Sequence, residues 1–151
     1  MKKKESEFLI QEEAEALLKQ PDRRTLQGKR DYALLLTMLS TGLRKAELCN
    51  LKAKDIKTYR NRLVIDVTGK GKRHRRIGLK NDVYGSISAY IKASGNGSPE
   101  HHIFYTLGKH GRCKEQPLTH RAVDWLIGKY SKMALLRKRI TPHTLRHTFA
   151  T

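Results

Sequence analysis

Two short stretches of this sequence hold the side chains best suited to chemistry on a phosphate. Thr41-Gly42-Leu43-Arg44 sets an arginine directly behind a glycine turn, and His143-Thr144-Leu145-Arg146 sets a histidine three residues before a second arginine. A planar guanidinium fork grips two phosphate oxygens at once, and histidine exchanges protons near neutral pH. Positions three apart are neighbours on a helix, so His143 and Arg146 can face one phosphate together. Glu47 stands one turn after Arg44 and can either neutralise it or orient its fork toward a substrate. An arginine in so apolar a stretch is costly unless it meets a carboxylate or a phosphate.

A third group is denser but less specific. Lys70, Lys72, Arg73, His74, Arg75 and Arg76 crowd around Gly69 and Gly71. They read as a solvated basic turn, or as a tip whose glycines let it approach a nucleic-acid backbone closely. Gly69-Lys70-Gly71-Lys72 lacks the GxxxxGK[ST] spacing of a nucleotide-binding loop. His101, His102, His110 and Cys113 follow no regular ligand spacing, so neither a metal nor a cofactor is expected.

Charge narrows the partner. Thirty-two Lys and Arg against 14 Asp and Glu leave a formal +18, with a pI near 10.2. Self-repulsion on that scale is tolerated where a polyanion is the usual neighbour, and nucleic acid is the commonest one. No apolar run approaches the roughly 18 residues of a membrane span. The Met1-Lys2-Lys3-Lys4 start carries no apolar continuation toward an export signal, so a cytoplasmic, nucleoid-associated protein is expected. Cys49 and Cys113 then read as free or buried thiols rather than a disulfide.

The elements that must position these residues follow from periodicity. At 151 residues and 38% hydrophobic, one domain with one core is expected. Residues 11–19 repeat Ala14, Leu17 and Leu18 among glutamates, a helical period, and 30–40 is apolar enough for a buried helix that ends at Thr41-Gly42. A short helix is expected from near Leu43 to about Leu51. Leu63, Ile65 and Val67 alternate with Arg62, Val64 and Asp66, so 62–79 reads as a β-hairpin whose second strand ends at Ile77 and Leu79. Helices are expected over 81–92 and from the Thr119 cap to about Met133, with an extended piece at Ile103-Phe104. Pro142 fits the first turn of a last helix that starts near Thr141. The sum is α+β: mainly helical, with one small antiparallel sheet.

Taken in order, these motifs resemble the tyrosine recombinases, or phage-type integrases. Thr41-Gly42-Leu43-Arg44-x-x-Glu47-Leu48, then Gly69-Lys70-Gly71-Lys72 leading to Ile77-Gly78-Leu79, then Pro142-His143-x-Leu145-Arg146-His147-x-Phe149-Ala150-Thr151 follow the layout of that family's catalytic domain. The likeness implies site-specific DNA cleavage and rejoining through a 3′-phosphotyrosine. It implies Arg44 and Arg146 as the clamp on the scissile phosphate, Lys70 as proton donor to the departing 5′ oxygen, and His143 as the proton-moving histidine. Glu47 and His147 would support them, and Lys72, Arg73, Arg75 and Arg76 would meet the DNA backbone. Double-stranded DNA is the implied partner, with self-association into a tetrameric synapse in the full-length protein. None of the six tyrosines follows the His143–Arg146 motif, so 1–151 reads as a catalytic domain without the N-terminal core-binding domain and without the tyrosine-bearing C-terminal segment. Two alternatives stand beside this reading: a type IB topoisomerase-like enzyme and a non-catalytic basic DNA-binding fragment.

Overall fold

The structure, a computed structural model, describes residues 8–69, 73–95, 97–108 and 113–150, without the side chains of 113–115, 147, 149 and 150. Lys70, Lys72 and His110 therefore lie outside the described residues, as does the side chain of His147.

The central element is α2 (Leu26–Thr41). Its start is fixed by Thr25, whose hydroxyl accepts the Gly28 N–H at 2.9 Å. Its end is fixed by Gly42, which takes the left-handed conformation at φ 68° and returns its N–H to the Met38 carbonyl at 3.1 Å. Leu34, Leu35 and Met38 have no exposed surface. The buried hydroxyls of Thr37 and Thr41 donate to the carbonyls four residues back, each at 2.6 Å, so the helix buries no unmatched hydroxyl there.

Around α2 pack α1 (Gln11–Leu18), α4 (Asn81–Ser94) and α6 (Pro142–Ala150), while α5 (His120–Met133) touches α1, α6 and the short α3 (Lys45–Asn50). The Thr119 hydroxyl caps α5 by accepting the Ala122 N–H at 3.1 Å. Along α5, Val123, Leu126, Ile127 and Tyr130 turn inward; Trp125, 63% exposed, turns out beside the Lys129 ammonium, 5.4 Å from its ring centroid. A buried polar knot ties three parts of the chain. Asp31 accepts from Arg30 Nε at 2.9 Å and from the Tyr130 hydroxyl at 2.5 Å, and Arg30 Nη1 donates to the Tyr105 carbonyl at 3.0 Å.

The expected hairpin is present as β2 (Arg62–Thr68) and β3 (His74–Gly78), antiparallel, with Ile65 opposite Ile77 and Val67 opposite Arg75. It is part of a larger sheet. β1 (Ile56–Tyr59) pairs with β2 through a two-residue turn in which Arg60 and Asn61 are both left-handed, at φ 49° and 64°. A second, two-stranded sheet joins β4 (Tyr105–Leu107) to β5 (Cys113–Pro117). One small sheet was expected, and two are found. The extended piece expected at Ile103-Phe104 is buried bend backbone, with β4 beginning one residue later. The Ile103 N–H reaches the Leu51 carbonyl at 2.8 Å, and the Phe104 carbonyl accepts from Leu118 at 3.0 Å, so both residues serve neighbouring loops instead of a strand.

Candidate active site

Arg44 is positioned by the start of α3. The helix begins at Lys45, two residues later than expected, because Arg44 itself is the extended N-cap, at φ −71° and ψ 153°. The Glu47 carboxylate accepts the Arg44 N–H at 2.8 Å, satisfying an amide that the helix leaves open. The Arg44 side chain stays 55% exposed, with Nη1 3.9 Å from Glu47 Oε2, a loose contact that leaves the fork available. Cys49, on the same helix, is buried, and that burial raises its thiol to about 11.

Arg146 comes from the other end of the chain. At the start of α6, Thr141 and Thr144 exchange backbone-to-hydroxyl hydrogen bonds at 3.1 and 3.3 Å, which fixes the first turn behind Pro142. Leu145 is fully buried, and Arg146 on the next position projects back toward α2, where its Nε donates to the Gly42 carbonyl at 2.8 Å. That bond spans 104 residues of sequence and joins the last helix to the turn immediately before Arg44. His143, one turn earlier, is exposed.

Arg44, His143 and Arg146 all line one cleft of about 1110 Å³. Of the sequence-derived catalytic set, the structure thus brings three together, and Lys70 lies outside the described residues. The cleft also collects cations that sequence reasoning did not single out: Lys45, Lys132, Arg137, Lys138 and Arg139. Among the described residues Asp124 is the one carboxylate on its lining, and Lys45 Nζ sits 2.9 Å from both of its oxygens. Lys138 is held by Glu13 at 2.9 Å, whereas Arg137 and Arg139 are exposed. The missed signal is the run Arg137-Lys138-Arg139 directly before the Thr141-Pro142-His143 motif. An open hollow with this surplus of positive charge raises the local concentration of a polyanion.

The basic hairpin divides. Arg73 is exposed, and no ion pair to it occurs among the described residues. Arg75 and Arg76 are each paired. Arg75 reaches the Glu47 carboxylate with both terminal nitrogens, and Arg76 Nε meets Asp66 at 2.8 Å. Hydrogen bonds from Arg76 and Lys57 hold the Asp66 carboxyl down at about 2. No tyrosine lines the cleft: Tyr90, Tyr105 and Tyr130 are buried, Tyr32 is half-buried beneath the Arg23 guanidinium, and Tyr59 and Tyr84 are exposed elsewhere. Among the described residues there is no cluster of three His, Cys, Asp or Glu fit to hold a metal ion, and no helix long and apolar enough to cross a membrane.

The phage integrase family model matches residues 7–151. A tyrosine recombinase of Pseudothermotoga lettingae is 36% identical over 145 residues, covering 96% of this chain and 46% of that protein. The tyrosine recombinase XerC of Pelotomaculum thermopropionicum is 31% identical over 153 residues, covering 100% and 49%. The chain therefore spans about half the length of the curated relatives it matches. Among solved structures, the XerA recombinase superposes with a TM-score of 0.77 at 26% identity, covering 99% of this chain and 50% of that one. The Tn1549 transposon integrase in complex with circular intermediate DNA gives 0.70 at 27% identity, covering 97% and 52%.

Proposed function

Because this chain belongs to the phage integrase family, we propose that it supplies the phosphate-binding part of a site-specific recombinase that cleaves and rejoins double-stranded DNA. The observation that carries this reading is the meeting of Arg44, His143 and Arg146 in one cationic cleft. Arg44 and Arg146 hold the non-bridging oxygens of the scissile phosphate, where a fork on each side stabilises the charge that develops. A tyrosine oxygen attacks phosphorus, the P–O5′ bond breaks, and a 3′-phosphotyrosine forms. His143 accepts the tyrosine proton and Lys70 delivers one to the departing 5′ oxygen. Rejoining runs the same steps backward, so no outside energy source enters. With no tyrosine on the cleft, the nucleophile comes from sequence after residue 151 or from another protomer.

Lys72 and Arg73 on the hairpin, with Arg137 and Arg139 on the cleft rim, meet the phosphates on either side. Arg76, already engaged by Asp66, adds charge without a direct contact. On this reading the complete protein works on nucleoid DNA in the cytoplasm and assembles there as a four-protomer synapse.

A suicide substrate nicked beside the scissile phosphate tests the proposal. The 151-residue chain alone is expected to form no covalent band, and the chain extended through its downstream tyrosine is expected to form one. An adduct mapped to any of the six tyrosines present would overturn the assignment of the nucleophile. Failure of the extended chain to form any adduct leaves a DNA-binding protein in place of a recombinase.

A further inference from the structure

Side chains alternate along a strand, so Arg75 and Arg76 leave β3 on opposite faces. Arg76 joins Asp66 and covers the Tyr59 ring at 4.0 Å, on the face away from Arg44. Arg75 continues the inward row of Ile77 and ends on Glu47, whose side chain is only 5% exposed. That carboxylate is crowded. Arg75 Nη2 donates to its Oε1 at 2.8 Å while Nη1 holds Oε2, and the Arg44 N–H donates to Oε1 at 2.8 Å. Gly69 closes the third side. A methyl group there would lie 3.2 Å from Glu47 Oε2 and 3.6 Å from Arg75 Nη1, closer to the carboxylate than most side chains tolerate. The Gly69 N–H in turn reaches the Arg73 carbonyl at 2.7 Å and closes the hairpin stem just before Lys70.

One buried carboxylate therefore touches the helix start that carries Arg44, the strand that follows the basic turn, and the glycine that precedes Lys70. Both terminal nitrogens of Arg75 are committed to it, which leaves no fork for a phosphate. We infer that Arg75 is a positioning residue: through Glu47 it locks the hairpin stem to the base of Arg44, so that the leaving-group acid and the phosphate clamp share one frame. This assignment rests on the function proposed above, and it replaces a DNA-backbone role for Arg75.

A lock of this kind predicts a selective defect. Arg75→Gln in the tyrosine-bearing extended chain should slow bound-state cleavage of an ordinary substrate by about 10–100-fold, a share of the 10²–10⁴ typical of general acid catalysis. A substrate with sulfur at the 5′ bridging position departs without a proton, so it should be cleaved by Arg75→Gln nearly as fast as by the wild type. Arg75→Lys, which keeps the charge but loses the fork, should fall between. Equal slowing on both substrates overturns the proposal in favour of general structural damage.

Two measurements on the 151-residue chain are independent of activity. Hydrogen exchange at the Gly69 amide should rise about tenfold or more in Arg75→Gln and in Glu47→Gln, with the double variant no faster than either. The salt slope of DNA binding should be unchanged by Arg75→Gln, whereas loss of a phosphate contact would lower it by about 0.9. An unaltered Gly69 exchange rate, or a slope lowered by that amount, overturns the lock. If the wild-type extended chain cleaves neither substrate, the recombinase reading has failed, and exchange and slope still decide the lock.

Discussion

Glu47 is the residue on which most of the site geometry converges, and its titration is open to measurement. Burial opposes its ionisation, but hydrogen bonds from Arg75 and from the Arg44 amide, with the charges of both arginines, outweigh that and hold its carboxyl below the ordinary 4.5. A carboxyl with a folded value below its unfolded one adds stability at pH above 4.5, and that contribution disappears as pH falls through the folded value. Glu47→Gln should therefore lower stability near neutral pH and flatten the acid limb of the unfolding curve below pH 4.5. A wild-type-like acid limb in that variant would contradict the pairing. The clamp arginines behave differently. Arg146→Ala in the tyrosine-bearing chain should slow cleavage by about 10²–10³-fold, by analogy with removal of an oxyanion donor. Its DNA affinity should change far less, because one phosphate contact among several is lost. Single-turnover cleavage beside a binding titration separates the two effects.

At the scale of elements, the first turn of α2 lies hard against the loop before it. A methyl group on Gly28 would lie 1.7 Å from the Asp22 carbonyl oxygen and 2.3 Å from its carbon, both backbone atoms. Alanine is the better helix former by about 1 kcal/mol. Here the clash outweighs that gain, and Gly28→Ala should destabilise the chain by about 2–3 kcal/mol, as other overpacking substitutions do. Urea unfolding checks it; a stabilised variant would mean that the α2 start can move. The end of α2 was legible from Gly42, and Thr119 and Pro142 open the last two helices; the start of α2 was not, since the helix begins at Leu26 behind the Thr25 cap, four residues before the expected apolar run. β1 was not legible, since Arg60-Asn61 lacks the glycine that usually marks a two-residue hairpin turn and instead holds two non-glycine residues left-handed. Nor was the β4–β5 sheet, whose first strand is three residues long. For the site, spacing placed Arg44, His143 and Arg146 near one another in chemistry, and the fold places them so in space. The destination of Arg75 was hidden, because pairing with Glu47 depends on strand register and on a sequence separation of 28 residues.

For the whole molecule, two kinds of charge act in opposite directions. Inside, Asp31 and Arg30 form a pair with side chains only 1% and 10% exposed, and burial with the Asp31 hydrogen bond pushes the Tyr130 phenol above its usual range. Asp31→Asn leaves Arg30 without its counter-ion and should cost about 3–5 kcal/mol. Tyr130→Phe, which removes one hydrogen bond to a carboxylate, should cost about 1.5–3 kcal/mol. Denaturant titrations of the two variants test that ranking, and a larger loss from Tyr130→Phe would remove Asp31 from the centre of the knot. Outside, the formal +18 is spread over a surface whose Arg44–Arg146 cleft is cationic. If about 5 phosphates are contacted, log affinity for DNA should fall against log salt with a slope of about −4 to −5. An affinity indifferent to salt would detach the charge from DNA. The outward-facing indole of Trp125 bears on how these experiments can be read. It belongs to the sole tryptophan of the chain, next in sequence to Asp124 on the cleft lining, and it already meets water in the folded state. Its emission colour should hardly move on unfolding, yet DNA bases that stack on the exposed indole should quench it. The protein thus carries an unlabelled optical reporter that responds to occupancy and is nearly blind to denaturation.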